Sequence, residues 1–187
     1  MLDVGIIGTA GRGKDYEYLD KFVYLKMYEV AKRFLKDFWR LTPNTLVSGG
    51  AAWADHLAVA LFLAGHAQRL TLYLPAEFTG ARYWESSGKM DPGRIANYYH
   101  RRFSSKIGMS SFEQLRQAIE RGAEVIVNPG GFHARNADVA ANVAALLAFT
   151  FGEGDTPKAN SGTLHTWDLC QARVKIHIPI HKIDEYM

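Results

Sequence analysis

Cysteine is nearly absent: Cys170 is the single one in 187 residues. It allows no intrachain disulfide and no cysteine-rich metal site, and a reducing compartment is the simplest expectation. Long basic runs interleaved with aromatics are missing too. The 22 Lys+Arg against 19 Asp+Glu leave a formal charge of only +3, so polynucleotide binding is not favoured. The longest apolar runs, around 57–64 and 139–151, are too short or too interrupted to span a bilayer. The start Met1-Leu-Asp-Val-Gly5 is strand-like and lacks the basic region and small-residue cleavage site of a signal peptide. A cytoplasmic location without a membrane partner is expected. Neither His-Glu-x-x-His nor Cys-x-x-Cys occurs, and His165, His177 and His181 form no ligand pattern, so no metal and no cofactor is expected. The Gly-Lys-Ser/Thr ending of a P-loop is missing, as is a well-spaced Gly-x-Gly-x-x-Gly with a ribose-binding acid. ATP hydrolysis and ordinary dinucleotide binding both lose ground.

What is present points to one core. At 48% hydrophobic, 187 residues suffice for a single well-buried domain over 1–187. Short apolar runs ending in glycine, proline or polar clusters predict strands at 3–7, 45–48, 69–74, 123–127, 144–151 and 174–180. Between them, helical spacing predicts helices. The first covers 15–40, where Leu19, Phe22, Val23, Met27, Val30, Phe34 and Phe38 recur on one face, and it closes before Pro43. Others are expected at 52–65, 94–106, from 111 to about 121 behind a Ser110–Glu113 capping box, and 161–173, with a short helix or turn at 134–143. An irregular insertion is expected at about 78–111. Continuous rather than alternating apolar strands, alternating with helices, predict an α/β fold: a Rossmann-like, doubly wound, mostly parallel sheet with helices on both faces. In such sheets ligands bind beyond the carboxyl ends of the strands.

Several short motifs fall at those ends. Gly8-Thr-Ala-Gly-Arg-Gly13 follows the first strand. Thr9, Gly11 and Arg12 read as phosphate contacts, Arg12 through its planar fork; the plain alternative is a strand-to-helix turn with a solvent-facing arginine. Ser48, Gly49 and Gly50 close the second strand, and their glycines allow a ligand near the backbone. There Ser48 and the amides of Gly50 and Ala51 read as holding a phosphate or ribose at a helix start. Asp55, one turn on, reads as an acceptor for a sugar hydroxyl or for the neighbouring loop, or else as an acid complementing the helix dipole. Arg135-Asn136 suits a phosphate and a base or ribose edge. Ser161, Gly162 and Thr163 open the last helix toward the same edge, with ordinary capping by Ser161 as the alternative. In the insertion, Tyr83-Trp84-Glu85 and Tyr98-Tyr-His-Arg-Arg102 combine aromatics with arginines. They fit equally a stacking cover over a ligand and a contact between copies of the chain, so a homo-oligomer is among the expectations.

Taken together these pieces resemble the SLOG superfamily, Rossmann-like proteins that include the DprA/Smf, the LOG (lysine-decarboxylase-like) and the YspA/YpsA-type families. The carriers are Gly8-Thr-Ala-Gly-Arg12, Val47-Ser-Gly-Gly-Ala-Ala-Trp-Ala-Asp55, Arg135-Asn136 and Ser161-Gly-Thr163, in an order that covers nearly the whole chain. The resemblance implies a pocket for a nucleotide or nucleotide-derived ligand, with Gly8 and the motif residues above lining it. Some relatives release a base from a nucleoside monophosphate using an arginine and a glutamate. Here Thr166 stands where that glutamate is expected, leaving Asp55, Glu85 and Asp168 as the carboxylates for a nucleotide N-glycosidase. A DprA-like DNA-processing role is the third expectation.

Overall fold

Six short strands, every one running the same way, build the centre of the molecule: β1 (Asp3–Gly8), β2 (Thr45–Ser48), β3 (Arg69–Leu74), β4 (Glu124–Val127), β5 (Ala145–Thr150) and β6 (Val174–Pro179). The computed structural model of the chain describes residues 3–38, 45–88, 90–128 and 130–187, with the backbone alone at 37 and 38. Strand order is β4-β3-β2-β1-β5-β6. The chain winds outward from β1 to β4, then crosses back to β5 on the other side of β1. Strand order therefore reverses between β1 and β5, and a ligand crevice is expected beyond their carboxyl ends. All six residues of β5 are buried, because helices cover both faces of the sheet and no side of the strand meets water.

One face carries α1 (Asp15–Tyr18), α2 (Lys21–Arg33), α3 (His56–Leu63), α4 (Pro92–Ile107) and α5 (Ser111–Glu120) over a core that includes Ile6, Met27, Leu57, Leu72, Phe103 and Phe149. The other carries α6 (Gly131–Ala141) and α7 (Gly162–Leu169) over Ile7, Val47, Val139, Leu146 and Trp167. The parallel, doubly wound architecture is the one the sequence predicts. Among the described residues no helix is long and apolar enough to cross a membrane.

Three of the predicted helices depart most from expectation. The helix predicted over 15–40 is broken at residues 19–20. There Asp20 adopts an extended backbone (φ −143°) and accepts the Val23 N–H at 2.8 Å, capping a new helix. Lys106 of α4 then donates to the freed carbonyls of Tyr16 and Leu19 at 3.0 and 2.7 Å. After Arg33 the helix loosens into a π-helical stretch, Phe34–Phe38, and its expected stop at Pro43 lies outside the described residues. The helix predicted from 52 starts at His56, for a reason that belongs to the site. The last helix ends at Leu169 rather than 173, with Lys175 donating to the Trp167 and Cys170 carbonyls at 2.9 and 3.3 Å. The 78–111 segment holds the 16-residue α4, capped by Asp91, which accepts the Arg94 N–H at 2.7 Å.

Candidate functional site

The turn after β2 is held by side chains rather than by helix. Trp53, almost wholly buried, takes a left-handed backbone (φ 64°), a conformation costing a non-glycine residue on the order of 1 kcal/mol. That delays α3 to His56 and lets the Asp55 carboxylate turn back across the turn. One oxygen accepts the Gly8 N–H at 3.1 Å and the other the Ala51 N–H at 3.5 Å. Asp55 thus clamps the ends of β1 and β2 together, and it caps no amide of its own helix. Ser48 is fully buried, accepts the Gly50 N–H at 3.3 Å and donates to the Asp55 carbonyl at 2.9 Å. The Gly50 and Ala51 amides expected to hold a phosphate are therefore committed within the turn. The Gly50 carbonyl accepts from the Tyr83 hydroxyl at 3.0 Å and from His100 Nε2 at 2.9 Å, so the 78–111 segment is latched to the same loop.

Arg135 reaches this turn from α6. Its Nη1 donates to the Gly49 carbonyl at 2.6 Å and stands 3.6 Å from Asp55. A Cβ at Gly49 would lie 2.6 Å from the guanidinium carbon, so only glycine leaves room for the arginine. Burial raises the Asp55 pKa and lowers that of Arg135, their mutual attraction opposing both shifts. Arg135 Nε is buried with no hydrogen-bond partner among the described residues, an orphan donor.

The β1 turn closes the next side. Thr9 donates to Asp15 at 3.0 Å and accepts the Gly11 N–H at 3.1 Å, while Lys158 pairs with Asp15 at 2.8 Å. Gly8 admits no Cβ: it would collide with the Phe149 carbonyl and sit 2.6 Å from the Ala54 methyl. Thr163, in the first turn of α7, donates to the Gly8 carbonyl at 2.9 Å, and Asn136 of α6 donates to the Gly162 carbonyl at 3.1 Å. Ser161 caps α7 by accepting the Leu164 N–H at 3.0 Å. The start of α6 has no side-chain cap.

These elements enclose a cleft of about 900 Å³ beyond the carboxyl ends of β1 and β5. Of the residues singled out from sequence, it brings together Gly8, Thr9, Arg12, Gly49, Gly50, Asp55, Arg135, Asn136, Ser161, Gly162 and Thr163, with Thr166 beside them. Four stand elsewhere. Ser48 lies beneath the turn, and Gly11 packs against Trp53, where a Cβ would lie 2.7 Å from the indole nitrogen. Glu85 accepts from Asn97 at 2.7 Å outside the cleft, and Asp168 is exposed on the far part of α7. Tyr99, from the Tyr98–Arg102 cluster read as a stacking cover, lines the cleft as well. Sequence reading missed Phe132, His133, Lys158 and His165, which also line it. The His133 and His165 rings meet edge to face at 5.1 Å, and His165 Nδ1 has no hydrogen-bond partner among the described residues.

The cleft thus offers three cations, two helix N-termini with outward-facing amides and an apolar wall. No protein-family model matches the sequence. A curated relative, the uncharacterized protein R261 of Acanthamoeba polyphaga mimivirus, is 36% identical over 179 residues, which covers 94% of each chain.

Proposed function

The chain belongs to the same family as R261, and from its geometry we propose that the cleft binds a nucleotide or nucleotide-derived ligand through the phosphate. The observation that carries this reading is the meeting of the α6 and α7 N-termini with Arg12 and Arg135 at the point where strand order reverses. Helix N-termini present unsatisfied N–H groups and the positive end of the dipole, and they favour anions. Arg135 keeps a buried, unpartnered Nε, and no carboxylate lies within ion-pair distance of Arg12 among the described residues. A SLOG-type identity agrees with this placement, since each of the four motifs that carry the resemblance puts residues on one cleft, Ser48 and Gly11 standing outside it.

The donors differ from those the motifs suggest. The Thr9, Ser48 and Thr163 hydroxyls already donate within the protein, as do the Gly131, Leu164 and His165 amides, so the phosphate is met by the arginines and by the remaining first-turn amides of α6 and α7. The two carboxylates that line the cleft are committed as well, Asp55 to backbone amides and Asp15 to Lys158 and Thr9. The reading is accordingly one of binding rather than bond cleavage. Titration calorimetry against nucleoside mono- and diphosphates tests it. Binding is expected, weakened more than tenfold in Arg12→Ala, as for loss of a hydrogen bond to a charged group worth about 1.5–3 kcal/mol. Silence across the panel, or equal affinity in Arg12→Ala, overturns it.

A further inference from the structure

Across from the amide-rich floor, α4 and the first turn of α6 form a second wall of the cleft. Tyr99 and Phe132 stand there half-buried, beside the apolar side chains of Pro92 and Ile95. The Arg12 guanidinium lies over both rings, its Cζ 5.4 Å from the Tyr99 centroid and 5.6 Å from that of Phe132. Arg135 Cζ is 5.5 Å from the same Phe132 ring. One aromatic ring is therefore shared by the two arginines assigned to the phosphate. A guanidinium is a flat, delocalised group that stacks on aromatic faces. Its position here puts a flat group on the side of the two rings that faces the anion end of the cleft.

We propose that Tyr99 and Phe132 are specificity-determining residues that stack on the base of a purine nucleoside phosphate, and that Arg12 moves from the rings to the phosphate as the base enters. This rests on the nucleotide reading above and adds to it the ligand's second half and the part played by the 78–111 segment. The wall is apolar around the rings, so recognition is by stacking area. Every base has a face to stack, and the larger purines gain more than pyrimidines, with adenine and guanine nearly alike.

Calorimetry with adenosine, guanosine and uridine 5′-monophosphates beside ribose 5-phosphate tests this directly. In the unmodified protein the purine nucleotides are expected to bind about tenfold or more tightly than ribose 5-phosphate, the usual scale of base–aromatic stacking. That ratio collapses in Tyr99→Leu and in Phe132→Leu and survives in Tyr99→Phe. Equal binding of adenosine 5′-monophosphate and ribose 5-phosphate overturns the stacking assignment while the phosphate reading stands. A ratio preserved in both leucine variants overturns the assignment as well. Failure of every compound to bind overturns the phosphate reading, and this inference with it.

Discussion

Acidification from pH 7 to pH 5 is expected to remove about 4 kcal/mol of folding stability through two buried histidines. His56 and His100 are 0% and 1% exposed, with ring centroids 5.9 Å apart. Each is neutral with its proton on Nε2, which donates to Gln114 Oε1 at 2.8 Å in His56 and to the Gly50 carbonyl at 2.9 Å in His100. His100 Nδ1 is within 3.0 Å of Ser111 Oγ, whereas His56 Nδ1 has no partner that a second proton could use. Burial pushes His56 down to about 4; burial, with His56 adding to it, takes His100 to about 3. In the unfolded chain both titrate near 6.5. Between these limits the unfolded state binds more protons, so stability is complete above pH 6.5 and falls as the pH drops, by up to about 2.7 kcal/mol per unit for two groups. The loss between pH 7 and pH 5 is governed by the unfolded value, because both folded values lie below 5. It is a large part of the roughly 5–15 kcal/mol that holds a domain together. Urea unfolding at pH 7, 6 and 5 measures it. His56→Gln keeps a donor for Gln114 and does not titrate, so it should lower the pH-dependent loss to about half. A doubly substituted His56→Gln, His100→Gln protein that loses as much stability as the unmodified one would refute the reasoning.

Two further outcomes follow from the turn and the cleft edge. Asp55→Asn leaves Arg135 buried without its counter-charge but keeps an acceptor for Gly8. The cost should sit near the low end of a broken buried pair, about 3 kcal/mol, seen by calorimetry as a melting point lower by about 6–12 °C in a chain of this size. Ser161→Ala removes the α7 cap and should cost about 1 kcal/mol in urea unfolding; no change would show that Leu164 finds another acceptor.

The sheet was legible because parallel strands buried on both faces read as unbroken apolar runs, and 145–150 shows this even with two alanines. Ser110 was legible because a capping box lies within four residues. What escaped depends on contacts between distant residues. The apolar spacing runs through Leu19 and Asp20 without a mark, and the break comes from Asp20 capping and from Lys106 ninety residues away. Ala-Ala-Trp-Ala reads as helix by propensity, yet the pull of Gly8 on Asp55 turns it into a strained loop. Site residues next to glycine turns were findable, because sheet topology puts every such turn on one edge. Phe132, in the first turn of α6, and His165, in that of α7, have no motif of their own and reach the cleft only because both helices start at the same edge of the sheet. Glu85 carries no mark in the sequence that it faces elsewhere, whereas helical spacing already sets Asp168 on another side of its helix from Thr163 and Thr166.

Consecutive glycines usually give a backbone the freedom to turn a peptide plane over, exchanging an N–H for a carbonyl when a ligand changes charge. At Gly50 that freedom is withdrawn. Tyr83 and His100 hold the carbonyl from one side while Asp55 draws the Ala51 N–H from the other, so the Gly50–Ala51 plane is pinned at both ends. The glycines here provide clearance for Arg135 and Leu74, not plasticity. Adjustment to an incoming ligand falls to side chains such as Arg12, over a turn whose backbone groups are already bonded.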